Sequence, residues 1–316
     1  MKAYVKLKYG GPEILELKDI STPEPNATEL LVNIKANSLN PADWHILRGK
    51  PYLTRLAFGL IKPKNKVLGA DFAGEVTKIG SQVTTFQVGD MVFGERTLGG
   101  AFAEYVTIPE NKCAPFHNTM NVLKMACLPM AGTTALQALF THGNLKKSET
   151  VLINGASGGV GHFAVQVAKA YGAKVTAICS DKNKTFVKKL GADDVIAYDK
   201  ENIQFHNKVY DLVIDAHGNF RHTDYKRLGK RGVIVGFTTM NKMISLLLRK
   251  AFSKYPLAQF TAMPNKKDLE TLAQLLADKK IDVHIAQEFS YLEIPKAIHI
   301  LEKKRTRGKL AITWEH

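Results

Sequence analysis

Residues 151–161 place a glycine-rich turn between an apolar stretch and a helical pattern. Residues 151–154 are typical of a buried parallel strand, and from residue 160 apolar side chains recur every three or four positions. Glycine lets a phosphate approach the backbone, and the N-terminus of a helix offers N–H groups to it. The order of strand, glycine turn and helix predicts a dinucleotide site, although a glycine turn of another βαβ unit is an alternative. The predicted pyrophosphate-binding residues are Ser157, Gly158, Gly159 and Val160.

The residue at the end of the second strand of such a unit determines the preference for NAD or NADP, because NAD-binding units have an Asp or Glu at this position. Counting from Gly172, this position is Ser180, which leaves room for a 2′-phosphate and can donate a hydrogen bond to it. Lys184 follows one turn later and supplies positive charge. Asp181 is discordant, since its carboxylate would repel a phosphate if it pointed inward. The sequence therefore favours NADPH over NADH.

Composition indicates a globular protein. The chain has 316 residues, enough for one large or two ordinary domains, and 45% of them are apolar. No apolar run approaches the roughly 18–20 residues of a membrane span, and the first residues resemble a strand more than a signal peptide. The three cysteines are far apart and show no metal-binding spacing, which indicates a reducing compartment. We expect a cytoplasmic protein.

The net charge of +15 raises the question of nucleic acid as a partner. The basic residues are scattered along the chain and are not confined to one tail or stripe, so no specific nucleic-acid partner is expected. Residues 243–255 are both basic and apolar. They fit either a helix packed on the protein or an amphipathic helix on a membrane surface.

The organisation of the chain changes near residue 125. Residues 1–120 show short apolar stretches separated by turn signals, which predicts a β-rich domain. Later residues alternate helices with strands, which predicts a parallel sheet, before residues 261–316 return to the first domain. The predicted parallel strands are 151–154, 175–179, 195–198, 212–215 and 232–236. The predicted domains are 1–122, 123–260 and 261–316.

Several motifs occur in a characteristic order, and together they resemble one enzyme family. They are Asn40-Pro41-Ala42-Asp43-Trp44, Gly69-Ala70-Asp71-Phe72-Ala73-Gly74, Val88-Gly89-Asp90, the glycine turn, Leu190-Gly191-Ala192-Asp193 and Arg307-Gly308-Lys309-Leu310. The chain resembles the medium-chain dehydrogenase/reductase superfamily, in its zinc-independent quinone oxidoreductase (zeta-crystallin-like) branch. The resemblance implies an α/β fold, in which a GroES-like β-barrel catalytic domain accompanies a Rossmann domain with a doubly wound parallel sheet.

The resemblance also implies which residues matter. Zinc-dependent relatives hold their metal with Cys, His and Cys, and the corresponding positions here are Asn40, Ala70 and Ala131, so no metal is expected. Asn40 is the candidate to hydrogen-bond a substrate carbonyl. Tyr52, on the loop 51–66, is the candidate to donate a proton or to stack on a substrate ring. The alternative for Tyr52 is ordinary packing. The residues implied to contact the cofactor are Tyr198, His217, Phe237, Phe260 and Lys309.

These expectations combine into an NADPH:quinone oxidoreductase or 2-alkenal reductase. Without a Lewis acid, oxidation of an alcohol is disfavoured, whereas a quinone or an α,β-unsaturated carbonyl is already electrophilic. Two alternatives stay open: an enoyl-thioester reductase, and a non-catalytic NADPH-binding protein with a nucleic-acid or protein partner. A homodimer is expected from the resemblance.

Overall fold

The computed structural model describes residues 1–203, 206, 208–235, 253–303 and 306–314. These residues form two compact units, each with its own core. The first unit contains residues 1–133, 264–277 and 283–316, and the second contains residues 134–263 and 278–282. Among the described residues, no helix has the length and apolar character needed to cross a membrane.

The first unit is built mainly from antiparallel strands. A two-stranded sheet joins β1 and β2, and a seven-stranded sheet has the order β14-β15-β3-β4-β5-β7, with β6 paired to β3. The strands are β1 Lys2–Val5, β2 Glu16–Asp19, β3 Glu29–Ser38, β4 Asp71–Ile79, β5 Met91–Glu95, β6 Tyr105–Pro109, β7 Cys113–Pro115, β14 Ile285–Ser290 and β15 Lys309–Thr313.

Strand β3 organises this unit because it is ten residues long and pairs with three other strands. Its first half pairs with β6, its last residues pair with β15, and β4 runs along its other edge. The C-terminal strand β15 thereby adds to the sheet formed by the first part of the chain, with Ala311 opposite Ser38.

Short helices connect the strands of the first unit. In the last of them, Ile294, Ala297 and Ile298 are buried, and this spacing of three and four residues places one apolar stripe against the core. The helices are α1 Pro41–Arg48, α2 Arg55–Phe58, α3 Val122–Ala126, α8 Lys266–Ala277 and α9 Ile294–Glu302, and α4 Pro129–Leu136 crosses into the second unit.

The second unit contains a six-stranded sheet of order β10-β9-β8-β11-β12-β13, in which every neighbouring pair is parallel. This is the strand order of a dinucleotide-binding fold, with the switch point beside β8. The strands are β8 Thr150–Asn154, β9 Lys174–Cys179, β10 Asp194–Ala197, β11 Tyr210–Asp215, β12 Gly229–Val235 and β13 Leu257–Phe260. The helices between them are α5 Gly159–Ala170, α6 Lys184–Lys189 and α7 His222–Leu228.

The predicted fold class is confirmed, and the ends of the predicted parallel strands lie within three residues of the observed ends. Helix α4 is followed directly by a π-helical turn, Gln137–His142. The sequence did not indicate strand β13, which forms the edge of the sheet. Phe237 and most of the 243–255 segment lie outside the described residues.

Candidate functional site

The turn between β8 and α5 brings the backbone of the glycines close together. Gly155 has a φ of +79°, which favours glycine, and its carbonyl accepts a hydrogen bond from the Gly158 N–H at 3.1 Å. A Cβ at Gly161 would lie 2.1 Å from the Gly155 oxygen, so the helix can pack against the turn only with glycine there. A Cβ at Gly158 would meet that oxygen at 3.4 Å and no other atom within 4 Å. Gly161 therefore serves the fold, whereas the space beside Gly158 is open.

The start of helix α5, directly after this turn, provides groups that bind anions. Helix α5 begins after Gly158, and the N–H groups of Gly159, Val160 and Gly161 occupy its first turn, where a helix provides no acceptors. Ser157 is half-buried, and its Oγ accepts a hydrogen bond from Asn183 Nδ2 at 3.0 Å. These features fit the pyrophosphate of a dinucleotide, because the dipole and N–H groups of a helix N-terminus favour negative charge.

The residues predicted to select the cofactor follow β9 and β10 at the same end of the sheet. Ser180 is buried directly after β9, and Tyr198, directly after β10, donates its backbone N–H to the Cys179 carbonyl at 3.0 Å. The Tyr198 ring is exposed, as is Lys184 at the start of α6. The structure therefore brings Ser180 and Tyr198 to one edge.

Two carboxylates share this edge, and sequence reasoning considered only one of them. Asp181 is exposed, and its backbone N–H donates to the Asp199 carboxylate at 2.7 Å. Burial, followed by the charges of Asp199 and Asp181, raises the pKa of the neighbouring Cys179 thiol to about 11. Asp199 directly follows Tyr198 in the sequence. An inspection of the residues just beyond the third parallel strand would therefore have identified this second carboxylate.

The loop after β11 is organised by a buried carboxylate. Asp215 accepts hydrogen bonds from the backbone N–H groups of His217, Gly218 and Phe220 at 2.8–3.1 Å, and from the Tyr225 hydroxyl at 2.8 Å. Asn154, at the end of β8, donates to the same carboxylate at 2.8 Å. The fixed loop lies beside the glycine turn, since a Cβ on Gly155 would be 3.4 Å from the His217 nitrogen. Asp215 therefore positions the backbone of this loop.

The side chains predicted at the nicotinamide end differ in their surroundings. His217 is exposed, whereas Phe260 is half-buried at the end of β13 and stacks on His142 with ring centres 4.1 Å apart. Burial lowers the pKa of His142. Phe237 lies outside the described residues. The contacts of these side chains with a cofactor stay a prediction.

In the first unit, Asn40 belongs to a buried hydrogen-bond network centred on Asp71. The Asn40 Nδ2 and Ser38 Oγ donate to Asp71 Oδ2 at 2.7 and 2.8 Å, and the Met130 N–H donates to Asp71 Oδ1 at 3.0 Å. The Lys309 ammonium donates to Asn40 Oδ1 at 2.6 Å and lies 3.5 Å from Asp71 Oδ2. All four side chains that form this network, those of Ser38, Asn40, Asp71 and Lys309, are almost fully buried.

Further ionisable groups surround this network. The Asp43 carboxylate accepts a hydrogen bond from the Asn40 backbone N–H at 2.7 Å, and burial, together with the charge of Asp71, raises the pKa of Asp43 to about 7. Glu95 lies opposite Asp71 on the next strand, and burial, followed by the charge of Asp71, raises its pKa to about 8. Lys6 donates to the Ile46 carbonyl at 3.0 Å, and burial lowers its pKa to about 8.

Lys309 was expected to contact the cofactor, and the structure places its ammonium inside this network, where it fixes the Asn40 side chain. Tyr52, by contrast, lies on the surface. Its ring is 66% exposed and contacts the Arg55 guanidinium, 4.9 Å from the ring centre. The catalytic roles of Asn40 and Tyr52 and the cofactor role of Lys309 stay predictions.

Comparisons with known proteins agree with this architecture. Residues 26–118 match the family model described as "Alcohol dehydrogenase GroES-like domain", and residues 190–312 match "Zinc-binding dehydrogenase". The chain is 35% identical to the chloroplastic quinone-oxidoreductase homolog of Spinacia oleracea over 288 residues, which cover 86% of this chain and 85% of the relative. The chain belongs to the medium-chain dehydrogenase/reductase superfamily, in its zinc-independent quinone oxidoreductase branch.

Solved structures of this superfamily superimpose over the whole chain. The quinone oxidoreductase of Coxiella burnetii has a TM-score of 0.89 at 32% identity, covering 100% of this chain and 99% of that one. The quinone oxidoreductase of Escherichia coli, described as complexed with NADPH, has a TM-score of 0.80 at 26% identity, covering 99% and 100%. Membership of this superfamily makes the protein an oxidoreductase with a nicotinamide cofactor.

The superfamily contains zinc-dependent members, and the residues at their ligand positions differ here. The Asn40 side chain is hydrogen-bonded to Asp71 and Lys309. The side chains of Ala70 and Ala131 have no atom that could bind a metal. Within the described part of the chain, no group of three or more His, Cys, Asp or Glu side chains is arranged to hold a metal ion. The expected homodimer and cytoplasmic location stay predictions, and the spinach relative is named as chloroplastic.

Proposed function

We propose that this oxidoreductase uses NADPH to reduce a quinone or the double bond of an α,β-unsaturated carbonyl compound. The observation that carries the proposal is the glycine turn, where helix α5 begins directly after Gly158 and a Cβ on Gly158 would meet only the Gly155 oxygen within 4 Å. The E. coli relative described as complexed with NADPH supports the choice of cofactor.

The roles of the cofactor-binding residues follow from their positions. Ser157, Gly158, Gly159 and Val160 would hold the pyrophosphate at the start of α5. Ser180, Lys184 and Tyr198, beyond β9 and β10, would hold the 2′-phosphate with two hydrogen bonds and a positive charge. The nicotinamide ring, when bound, supplies the hydride. His217, Phe237 and Phe260 would adjoin that ring, and Asp215 would fix the loop on which His217 lies.

Asn40 would polarise a substrate carbonyl. Its amide has two N–H donors; one is used by Asp71, and the carbonyl oxygen of the amide is held by Lys309. Because both ends are fixed, the remaining N–H has a defined direction and would donate to the oxygen on which negative charge develops. Lys309 then acts as a positioning residue for Asn40.

The type of substrate follows from the residues near Asn40. Oxidation of an alcohol needs a group that lowers the pKa of the hydroxyl, and the residues at the zinc-ligand positions of relatives, Asn40, Ala70 and Ala131, do not supply one. Reduction of an electrophilic π-system requires less activation, because a hydrogen bond to its oxygen is enough. The Tyr52 phenol, on the surface of the same unit, would donate the proton or stack on the substrate ring.

The test is a screen of NADPH oxidation against quinones, enones and enoyl-thioesters, repeated with NADH. We expect turnover with quinones or enones and a preference for NADPH. Gly158→Val should abolish NADPH binding in a titration while thermal stability changes little, because the new side chain enters open space that the phosphates need. Wild-type affinity in this variant would refute the placement of the pyrophosphate. Turnover of enoyl-thioesters alone would replace the proposed substrate class.

A further inference from the structure

Residues 50–66, here called the basic-apolar segment, expose large apolar side chains to solvent. Five of them lie within ten positions of the chain: Tyr52 (66% exposed), Leu53 (50%), Leu56 (63%), Leu60 (66%) and Ile61 (85%). Single exposed apolar residues are common on protein surfaces, but a group of neighbours indicates a surface that meets another phase or molecule.

The segment is held against the rest of its unit by specific contacts. The Tyr9 hydroxyl donates to the Gly59 carbonyl, and the Arg55 guanidinium lies 4.4 Å from the centre of the Tyr9 ring. Arg55 also donates to the Gly49 carbonyl at 3.0 Å. The Lys6 N–H donates to the Lys66 carbonyl at 2.8 Å. The folded backbone therefore presents the apolar side chains outward.

The charges of the basic-apolar segment have one sign. It contains five basic residues and no acidic residue. They are Lys50, Arg55, Lys62, Lys64 and Lys66. In the part of the chain that the structure describes, none of these five cations forms an ion pair with a carboxylate. Next to the segment, joined through the Lys6 contact, Leu7 is 52% exposed and Lys8 is exposed as well.

We propose that this face docks on a lipid bilayer whose surface carries anionic headgroups. Leu60 and Ile61 would enter the boundary between headgroups and acyl chains, while Lys62, Lys64 and Lys66, the next cations along the chain, would contact lipid phosphates. Long cationic side chains suit this boundary, because their stems are apolar and their charged ends reach the headgroups.

The charge pattern distinguishes a membrane from the other occupants of such a face. A second copy of the chain in a two-fold interface would bring the same five cations against each other, which like-charge repulsion disfavours. A nucleic acid would satisfy the cations but offers no apolar layer for Leu60 and Ile61. A bilayer with anionic lipids provides negative headgroups for the cations and an apolar layer for Leu60 and Ile61.

Docking would place the enzyme beside the phase in which long-chain quinones dissolve. This use of the surface rests on the proposed function, whereas docking itself does not. The test therefore measures binding without turnover, and a failure of the substrate proposal leaves its result unaffected.

The experiment is co-sedimentation of the full chain with vesicles of phosphatidylcholine alone, or with about 30% phosphatidylglycerol. We expect binding only to the anionic vesicles, and release in high salt. Lys62→Gln with Lys64→Gln should weaken binding about 25-fold, at about fivefold per charge. Leu60→Ser with Ile61→Ser should weaken it tenfold or more, because apolar surface no longer leaves water.

Matched variants control for general effects of charge and exposure. Lys146→Gln with Lys147→Gln removes two exposed cations from the second unit, and Val88→Ser removes an apolar side chain that is 60% exposed. Both should bind anionic vesicles like the wild type, and circular dichroism confirms that each variant is folded. The proposal is overturned by absence of vesicle binding, by equal binding to neutral vesicles, or by equal losses in the controls. Self-association that is lost with Leu60→Ser and Ile61→Ser, without vesicle binding, would assign the face to a dimer instead.

Discussion

Replacement of Glu95 by glutamine should remove a large part of the pH dependence of stability. Glu95 is 2% exposed and lies opposite Asp71 in the pairing of β4 with β5. Its Oε1 accepts a hydrogen bond from Thr97 at 3.1 Å, whereas its Oε2 is buried without a partner among the described residues. A carboxylate in this position is costly, because burial and the neighbouring Asp71 both disfavour its charge.

The magnitude follows from the pKa of Glu95, which rises from 4.5 to about 8 in the folded protein. Between these values the folded protein keeps the proton that the unfolded chain has released, so stability falls as pH rises through this range. One pH unit corresponds to about 1.4 kcal/mol, which gives a loss of about 2.5 kcal/mol from this group between pH 6 and pH 9. Asp43, with a pKa of about 7, adds a loss of the same sign at lower pH.

The assay is urea unfolding of the wild type and of Glu95→Gln at pH 6 and pH 9. Glutamine has the shape of the neutral acid and cannot ionise. From pH 6 to pH 9, the decrease in the free energy of unfolding should therefore be about 2.5 kcal/mol smaller in Glu95→Gln than in the wild type. The exposed Glu270 provides the control, since Glu270→Gln should follow the wild type at both values. If the free energy of unfolding decreased equally in the wild type and Glu95→Gln, Glu95 would not be a buried neutral acid.

Three other predictions concern the second unit. Gly161→Ala should destabilise the fold by about 3 kcal/mol in urea unfolding, because the added Cβ would lie 2.1 Å from the Gly155 carbonyl oxygen; a change below 1 kcal/mol would contradict the tight packing. Asp215→Ala should cost about 3 kcal/mol or more and lower kcat, since three backbone N–H groups lose their acceptor, and unchanged kinetics would deny its positioning role. Lys184→Ala should raise the Kd for NADPH about tenfold and leave that for NADH unchanged, as titration of both would show.

The parts of the fold that the sequence predicted are those with a local signal. The strand, glycine turn and helix of residues 151–170 occupy one continuous stretch, and each residue type there has a backbone reason, such as the close approach of Gly161 to Gly155. The parallel strands could be predicted in the same way, because strands that are buried on both faces form continuous apolar runs in the sequence. Strand β13 was missed because its short sequence, Leu-Ala-Gln-Phe, carries no such run.

The buried network around Asp71 could not be predicted in the same way. Asn40 and Asp71 are 31 residues apart in the chain, and Lys309 and Asn40 are 269 apart. Nothing local in the sequence indicates that these side chains meet, and the motifs suggested only that Asn40 and Lys309 were important. The surroundings of the Glu95 carboxyl are set only when β4 and β5 pair, because the register places Glu95 opposite Asp71.

Hydride transfer from NADPH to an electrophilic π-system can be followed with isotopically labelled cofactor. NADPH carrying deuterium on one face of C4 would be incubated with the enzyme and a cyclic enone, and the product analysed by mass spectrometry and NMR. We run the reaction separately with NADPH labelled on each C4 face, and we expect one of the two forms to give one deuterium at the β-carbon of the saturated ketone for each NADPH consumed and the other form to give none. NADPH that binds in a titration but is not oxidised by any quinone or enone, or a clear preference for NADH, would contradict the proposed hydride transfer from NADPH.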